Sequence, residues 1–243
     1  MASAEHSSLI WTRPEPGTRR PKFTRDQIAS TALAIADTEG FAAVSMRRIA
    51  TELGAGTMTL YHYVRTKDEL LTLVCDEVMA EVLLPEGYEL PTDWREAIVV
   101  VASRSRDAMR RHPWVFDVSA DLGLGPNGVR HMDQTLQAVD GVDAPLATKL
   151  DVVAAVDEYV FGYCLQEWGG WSTDAQRDTA SAYVEDLVRH GDFPQLQRYV
   201  DEMGLDAVWQ AFEDNGTDPD RFERNLRRFV RGIELDLAGP PGG

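Results

Sequence analysis

The sequence predicts an all-α protein. Apolar residues recur three and four positions apart along most of the chain, as on one face of a helix, and the two-residue alternation of a half-buried strand is nearly absent. The 243 residues are 44% hydrophobic, 9% aromatic and 26% charged. These ordinary globular values exclude wholesale disorder, a fibrous repeat and a disulfide-rich miniature scaffold, so we expect the helices to enclose a hydrophobic core.

The first 22 residues are predicted to form a flexible basic arm. Prolines at positions 14, 16 and 21, together with Gly17, prevent a helix in this stretch. Between positions 13 and 25 five basic residues accompany a single acidic one, a local charge of +4. The prolines are expected to keep the arm extended and away from the body of the protein.

Caps and helix breakers place four helices between residues 23 and 84. Thr24 is a good N-cap for the first helix, and Gly40 ends it. The next three helices are predicted at 46–53, 57–63 and about 67–84, and their caps are Ser45, Thr57 and Thr66.

The second and third of these helices have the arrangement of a helix-turn-helix. Two short helices flank Gly54-Ala55-Gly56, and in the third helix only Leu60 and Val64 are expected to face the core. The hydroxyls, the imidazole and the two phenols of that helix are then left to point outward. At about 1.5 Å per residue the helix is ~10 Å long, which fits a DNA major groove ~12 Å wide. The pattern therefore predicts that the third helix enters DNA.

Beyond Pro91 the periodicity predicts eight further helices and a disordered tail at 239–243. Two helices, at 145–168 and 219–237, can present long apolar stripes, and the others are expected to wrap around them. The chain then divides into the arm, a helix-turn-helix domain at 23–70 and a second helical domain at 71–238. The other six helices are predicted at 93–111, 114–121, 126–139, 173–190, 194–203 and 206–213.

The charge is unevenly distributed between these parts. Lys+Arg 24 against Asp+Glu 40 gives a net charge of −16, which alone argues against a nucleic-acid partner because phosphate binding requires cations. Residues 1–70, however, contain nine basic and eight acidic residues, whereas the remainder contains 15 and 32. The cations that DNA requires are therefore concentrated at the N-terminal end, and the acidic remainder repels phosphate.

The sequence indicates no disulfide, metal site, cofactor or membrane segment. Cys75 and Cys164 lie in apolar helical stretches without a second Cys or a His at zinc-ligand spacing, so we expect both to be reduced core residues. The N-terminal residues lack an apolar run of signal-peptide length, and the apolar segments at 97–102 and 152–165 are too short or contain acidic residues. We therefore expect a cytoplasmic protein.

Two other functional classes stay open on these observations. An all-helical enzyme with an acidic catalytic pocket is one alternative, because Asp157 and Glu158 lie in an otherwise apolar helix; His112 and His131, however, have no indicated Ser or Cys nucleophile. A sequence-neutral DNA-binding protein is the other, although it would need far more positive charge. The Gly54–Thr57 loop lacks the preceding strand and the Lys-Ser/Thr pair of a phosphate-binding loop.

A specific resemblance is carried by four strings between Phe23 and Leu71: SMRRIA at 45–50, LGAG at 53–56, LYHYV at 60–64 and KDELL at 67–71. This region closely resembles the DNA-binding domain of the tetracycline-repressor (TetR) family, and the rest of the chain resembles the family's regulatory domain only in helix count and length. The resemblance implies a homodimer that binds a palindromic operator, represses transcription and releases the DNA when a small molecule enters the C-terminal domain. It places the dimer interface on the helices at 145–168 and 219–237.

The resemblance also implies which residues contact DNA. Arg47 corresponds to a base-reading residue whose guanidinium suits guanine, and Lys67 corresponds to a position that holds a phosphate. In the arm, Arg13, Arg19 and Arg20 are candidates for the adjacent minor groove, with a solvated tail as the alternative. The residues that match the recognition helix are Thr57, Met58, Thr59, Tyr61, His62 and Tyr63.

The small-molecule pocket is expected among the helices at 93–111, 126–139 and 145–168. Such pockets are lined by apolar and aromatic side chains with a few polar groups, although the same residue types also fill a core. The candidate lining residues are Met109, Trp114, Phe116, Met132, Leu136, Tyr159, Tyr163 and Gln166.

Overall fold

The computed structural model describes residues 10–16, 23–118, 125–168 and 174–238, and every regular element within these ranges is helical. The predicted all-α class is therefore confirmed. Arg19, Arg20 and the tail at 239–243 lie outside the described residues. The α-helices are α1 (Arg25–Glu39), α2 (Met46–Glu52), α3 (Thr57–Leu60), α4 (Lys67–Val82), α5 (Trp94–Arg111), α6 (Pro126–Ala138), α7 (Leu146–Trp168), α8 (Asp174–His190), α9 (Pro194–Met203), α10 (Leu205–Thr217) and α11 (Arg221–Leu237).

Side-chain caps start three of the first four helices where the sequence predicts them. The Thr24 hydroxyl accepts from the Gln27 amide and the Gln27 side chain accepts from the Thr24 amide, which completes a capping box at α1. The Ser45 and Thr66 hydroxyls cap α2 and α4 by accepting from the amides of Arg48 and Glu69, three residues further on. The predicted Thr57 cap is wrong: Gly56 is the N-cap of α3 without a side-chain hydrogen bond, and Thr57 is already helical. In the turn before it, Gly54 has a φ of 60°, which favours glycine.

The α-helix predicted at 114–121 is also wrong over its described part, 114–118, and residues 119–121 lie outside the described residues. The chain instead forms a short 3-10 helix at Pro113–Asp117 and is extended at Val118. Tertiary contacts fix this turn, because the Trp114 ring stacks on Phe41 at 5.3 Å and its indole donates to Asp37 at 2.8 Å.

The described part of the N-terminal segment is not a free arm. Ile10–Thr12 forms a 3-10 turn, and Ile10 is only 3% exposed within the hydrophobic core that also contains residues of α1 and α4. The prolines restrict the backbone of this segment, but they do not prevent an apolar side chain from being buried, and burial of an Ile favours the folded position.

The helices form two compact units, residues 1–168 and 169–243. In the first unit α4 packs against α1 on one side and against α5 and α6 further along, and α5 also packs on α7. In the second unit α9 packs against α8 and α10. The predicted domain boundary after residue 70 falls within the first turns of α4 and stays a prediction.

Cys75 and Cys164 are free and buried, as expected. None of the described helices is long and apolar enough to cross a membrane.

Candidate nucleic-acid interface and effector region

The short helix α3 presents a polar and unusually exposed surface. Met58 is 74% exposed, and Tyr61 and His62 in the following turn are also exposed. Thr57 and Thr59 are half-buried, whereas Leu60 is fully buried and anchors the helix. The side chains needed to contact base edges are therefore presented outward by a helix whose position is fixed by its core residue.

Tyr63 corrects the expectation that both phenols of this segment point outward. Its side chain is 4% exposed and belongs to the hydrophobic core with Leu60 and Val64. The chain leaves α-helical geometry after Leu60, and the turn directs Tyr63 inward. Its spacing of three residues from Leu60 is the sequence signal for this position.

Arg47 and Arg48 are neighbours with different environments. The Arg48 guanidinium bonds to Glu39 and Glu52, both at 2.7 Å, and these carboxylates raise its pKa. Arg47 is exposed, and no described side chain forms an ion pair or hydrogen bond with its guanidinium. Arg47 therefore has an unpaired fork of donors beside α3, whereas the charge of Arg48 is matched within the protein.

Lys67 lies at the first position of α4, with an exposed side chain. Its ammonium is 5.7 Å from the centroid of the Phe41 ring, which supports the side chain without neutralising it. A cation at the start of a helix, where backbone amides point outward, suits a phosphate.

Two arginines of the N-terminal region are instead used internally. Arg13 forms a bidentate ion pair with Glu69 at 2.7 and 2.8 Å and donates to the Tyr63 carbonyl at 3.1 Å. The hydrogen bond from Arg13 lowers the pKa of Glu69. Arg25 is 6% exposed and donates to backbone carbonyls, including that of Ile10 at 2.8 Å. Sequence reasoning missed Arg25, although its position three residues before Ile28 places it on the buried stripe of α1.

The predicted pocket residues lie on α5, α6, α7 and the 3-10 turn, and aromatic contacts join some of them. Phe116 packs against Phe161 at 5.3 Å, and Tyr159 lies 6.0 Å from Tyr163. Arg106 lies over the Tyr163 ring at 5.3 Å. Of the other candidates, Met109 packs on the hydrophobic core, Trp114 is buried against Phe41, Leu136 is half-buried, and Met132 and Gln166 are exposed.

Two titratable side chains on the helices that hold the predicted pocket residues have shifted pKa values. Asp157 on α7 is accessible to solvent, yet the surrounding protein desolvates it and raises its pKa to about 6. His131 on α6 is half-buried, and desolvation lowers its pKa. In both side chains desolvation disfavours the charged form, which is the physical cause of the two shifts. The described residues contain no group of three or more His, Cys, Asp or Glu placed to hold a metal.

Two polar junctions connect α4 to its neighbours. The Asp76 carboxylate accepts from the backbone amides of Asn127 and Gly128, at 3.0 and 3.2 Å, and so caps α6. A side chain at Gly125 would collide with that carboxylate. Further along α4, the buried His112 lies 2.7 Å from Asp37 and 3.1 Å from Glu81. His112 therefore joins α1 and α4 to the end of α5.

An exposed α3 with an anchoring leucine, preceded by α2 and a glycine turn, has the geometry of a helix-turn-helix DNA-binding motif. Residues 28–74 match the family described as "Bacterial regulatory proteins, tetR family", and residues 87–237 match "Tetracyclin repressor-like, C-terminal domain". The chain belongs to the tetracycline-repressor (TetR) family of transcriptional regulators and is not an enzyme. From the sequence alone, residues 71–238 resemble the family's regulatory domain only in the number and length of their helices. The match over residues 87–237 shows that the amino-acid sequence of this part is similar as well.

Curated relatives and solved structures agree with this assignment. The chain is 31% identical over 240 residues to the HTH-type transcriptional repressor DrrR1 of Streptomyces coeruleorubidus, covering 95% of this chain and 85% of that protein. It is 34% identical over 210 residues to an HTH-type transcriptional regulator of Saccharopolyspora erythraea, covering 85% and 87%. Its fold is similar to that of ActR from Streptomyces coelicolor in complex with actinorhodin, with a TM-score of 0.67, 28% identity and coverage of 90% and 99%.

Proposed function

We propose that the protein is a cytoplasmic homodimeric repressor that binds a palindromic operator and is released from it by a small aromatic molecule. The observation that carries the DNA-binding part is the exposure of Met58, Tyr61 and His62 beside the unpaired Arg47. All of these side chains are exposed, so they are available to DNA at the protein surface.

The roles of the contacts follow from their chemistry. Arg47 donates two hydrogen bonds to O6 and N7 of a guanine, and Met58 makes apolar contact, which suits a thymine methyl group. Lys67 neutralises a phosphate and fixes the register of the helix on the duplex. Arg19 and Arg20 remain proposed contacts to DNA flanking the operator.

An exposed apolar stripe on α7 supports the homodimer. Leu146, Leu150, Phe161, Leu165 and Trp168 are all exposed and lie on one side of the helix. Ala154 and Asp157 occupy the two intervening turns, so Asp157 is the single charged residue of the stripe. A surface of this kind is stabilised by burial against a second copy. Two copies related by a two-fold axis would present two α3 helices to half-sites ~34 Å apart.

The effector is proposed to be a small aromatic compound. Phe116 and the pair Tyr159–Tyr163 provide ring faces for stacking. His131 provides a polar group on α6, which packs against α7. ActR, which has a similar fold, is described in complex with actinorhodin, so actinorhodin is the first compound to test.

The test is selection of duplexes from a random library by the full-length protein, followed by titration of the selected duplex against salt. We expect an inverted repeat, a preference of at least about 10³ over random DNA and a complex of two chains per duplex. Actinorhodin should lower the affinity for that duplex, and by linkage the duplex should lower the affinity for actinorhodin by the same factor. If the selection enriched no sequence, the proposed role as a sequence-specific repressor would be refuted. Equal actinorhodin affinity with and without the duplex would refute actinorhodin as the effector.

A further inference from the structure

Residues 10–16, here called the N-terminal brace, are built into the DNA-binding region although they precede the residues matched by the family. The match begins at residue 28. Ile10 of the brace is nevertheless part of the same buried core as Leu60 of α3 and Leu70 of α4. Trp11 packs against this core as well. The brace thus packs on the helix-turn-helix as part of the same buried core.

Arg25 connects the brace to the end of the recognition segment. One guanidinium donates to the Ile10 carbonyl at 2.8 Å, the Arg13 carbonyl at 2.7 Å and the Tyr63 carbonyl at 3.3 Å. The Arg25 amide also donates to Glu15 at 2.9 Å. A buried guanidinium with carbonyl partners from both segments fixes their separation, because each lost contact would leave a buried donor unsatisfied.

Arg13 makes the second connection, from the brace to the start of α4. Its guanidinium binds both carboxylate oxygens of Glu69 and reaches the Tyr63 carbonyl, which therefore accepts from two arginines. Glu69 in turn accepts from the Arg65 amide at 2.7 Å. The turn between α3 and α4 is thus held by charge-assisted hydrogen bonds to the Tyr63 carbonyl and from the Arg65 amide.

The positive charge of Arg13 is neutralised by its ion pair with Glu69. Its side chain is 13% exposed and paired with a carboxylate, whereas the side chains of Arg47 and Lys67 are exposed. A paired and largely covered guanidinium releases few counterions on DNA binding. We propose that Arg13 is a positioning residue, which acts through Tyr63 and Glu69 to hold α3 in the orientation that reads the operator, and that it is not a DNA contact. This proposal rests on the proposed repressor function.

The test compares Arg13→Gln and Arg13→Lys with Lys67→Gln, all in the full-length protein and on the duplex obtained by selection. Arg13→Gln should lower affinity for the selected duplex at least about tenfold, the equivalent of one charge-assisted hydrogen bond, with random-DNA affinity and the salt slope unchanged. Arg13→Lys should not restore the affinity, because an ammonium lacks the planar fork that spans Glu69 and Tyr63. Lys67→Gln, by contrast, should weaken both duplexes alike and lower the salt slope by about one.

A double-mutant cycle with Glu69→Gln supplies the second readout. If Arg13 acts through Glu69, the effect of Arg13→Gln on operator affinity is largely lost in the Glu69→Gln background. Rescue by Arg13→Lys together with a reduced salt slope would identify a phosphate contact and overturn the proposal. A lower melting temperature with unchanged operator affinity would show a merely structural role and would also overturn it. Failure of the wild-type protein to select any duplex would instead refute the repressor function and the positioning role with it.

Discussion

The pair Arg47 and Arg48 provides a matched test of base reading, because the two residues are adjacent, identical in type and differently engaged. Arg48 forms ion pairs with Glu39 and Glu52, with side-chain exposures of 34% for Arg48 and of 41% and 55% for the two acids. Exposed pairs of this kind are screened by solvent and contribute little to the free energy of unfolding. Arg48→Ala should therefore lower folding stability only slightly, with little effect on DNA sequence preference.

Arg47→Ala should show the opposite pattern. The Arg47 guanidinium has no described partner to lose, so the free energy of unfolding should change by less than about 0.5 kcal/mol. Loss of a bidentate contact to guanine should cost about 1 to 3 kcal/mol of operator binding and relax the preference at one base pair in each half-site.

The assay is competition binding of the wild type and both variants to the selected duplex and to all of its single-base variants, with urea unfolding measured in parallel. The reasoning requires that base preference changes in Arg47→Ala and stability changes in Arg48→Ala. Identical base-preference profiles for Arg47→Ala and the wild type would refute the assignment of Arg47. If the base preference were relaxed in Arg48→Ala and unchanged in Arg47→Ala, base reading would be assigned to Arg48 instead of Arg47.

Three further predictions concern the rest of the chain. Lys67→Ala should weaken all duplexes about equally and reduce the slope of log K against log salt by about one, measured by titration at several salt concentrations. Asp157 has a pKa raised from 3.8 to about 6, so its neutral form is favoured in the folded state and folding stability falls as pH rises through this interval. Asp157→Asn should flatten the pH dependence of urea unfolding between these values and raise stability at pH 7 by no more than about 1 kcal/mol, since the group is partly solvated. Asp76→Asn should lower the free energy of unfolding by about 1 to 2 kcal/mol, because the cap of α6 loses its charged acceptor, and an unchanged urea midpoint would contradict this role.

Local signals in the sequence were sufficient for most helix boundaries. Thr24, Ser45 and Thr66 cap their helices as predicted because capping depends on residues only three positions apart. The short helix predicted at 114–121 failed for the opposite reason. Its conformation depends on Asp37 and Phe41, more than seventy positions earlier, and no local pattern contains that information.

In the DNA-binding surface, too, some features follow from the local sequence and others depend on distant residues. A resemblance of sequence implied Met58, Tyr61 and His62, and their exposure agrees with a contact surface. Tyr63 matched the same motif but is buried, because the end of α3 depends on how the following turn packs. Arg13 was assigned to DNA from its local positive charge, and its actual partner, Glu69, lies 56 positions away. Charge counted along a sequence cannot distinguish a free cation from one neutralised by a distant acid.

We infer that α4 connects the helices that hold the predicted pocket residues to the DNA-binding surface. At the start of α4, Glu69 accepts from the Arg65 amide in the turn after α3, while Asp76 and Glu81 further along the same helix contact α6 and His112. A helix of 16 residues is ~24 Å long and transmits a tilt between its ends with little internal deformation. Because the Asp76 carboxylate holds two amides of α6, a shift of α6 must either carry α4 with it or break buried hydrogen bonds. Breaking them is costly, so movement of α4, and with it of the turn that positions α3, is the favoured response to a ligand that displaces α6.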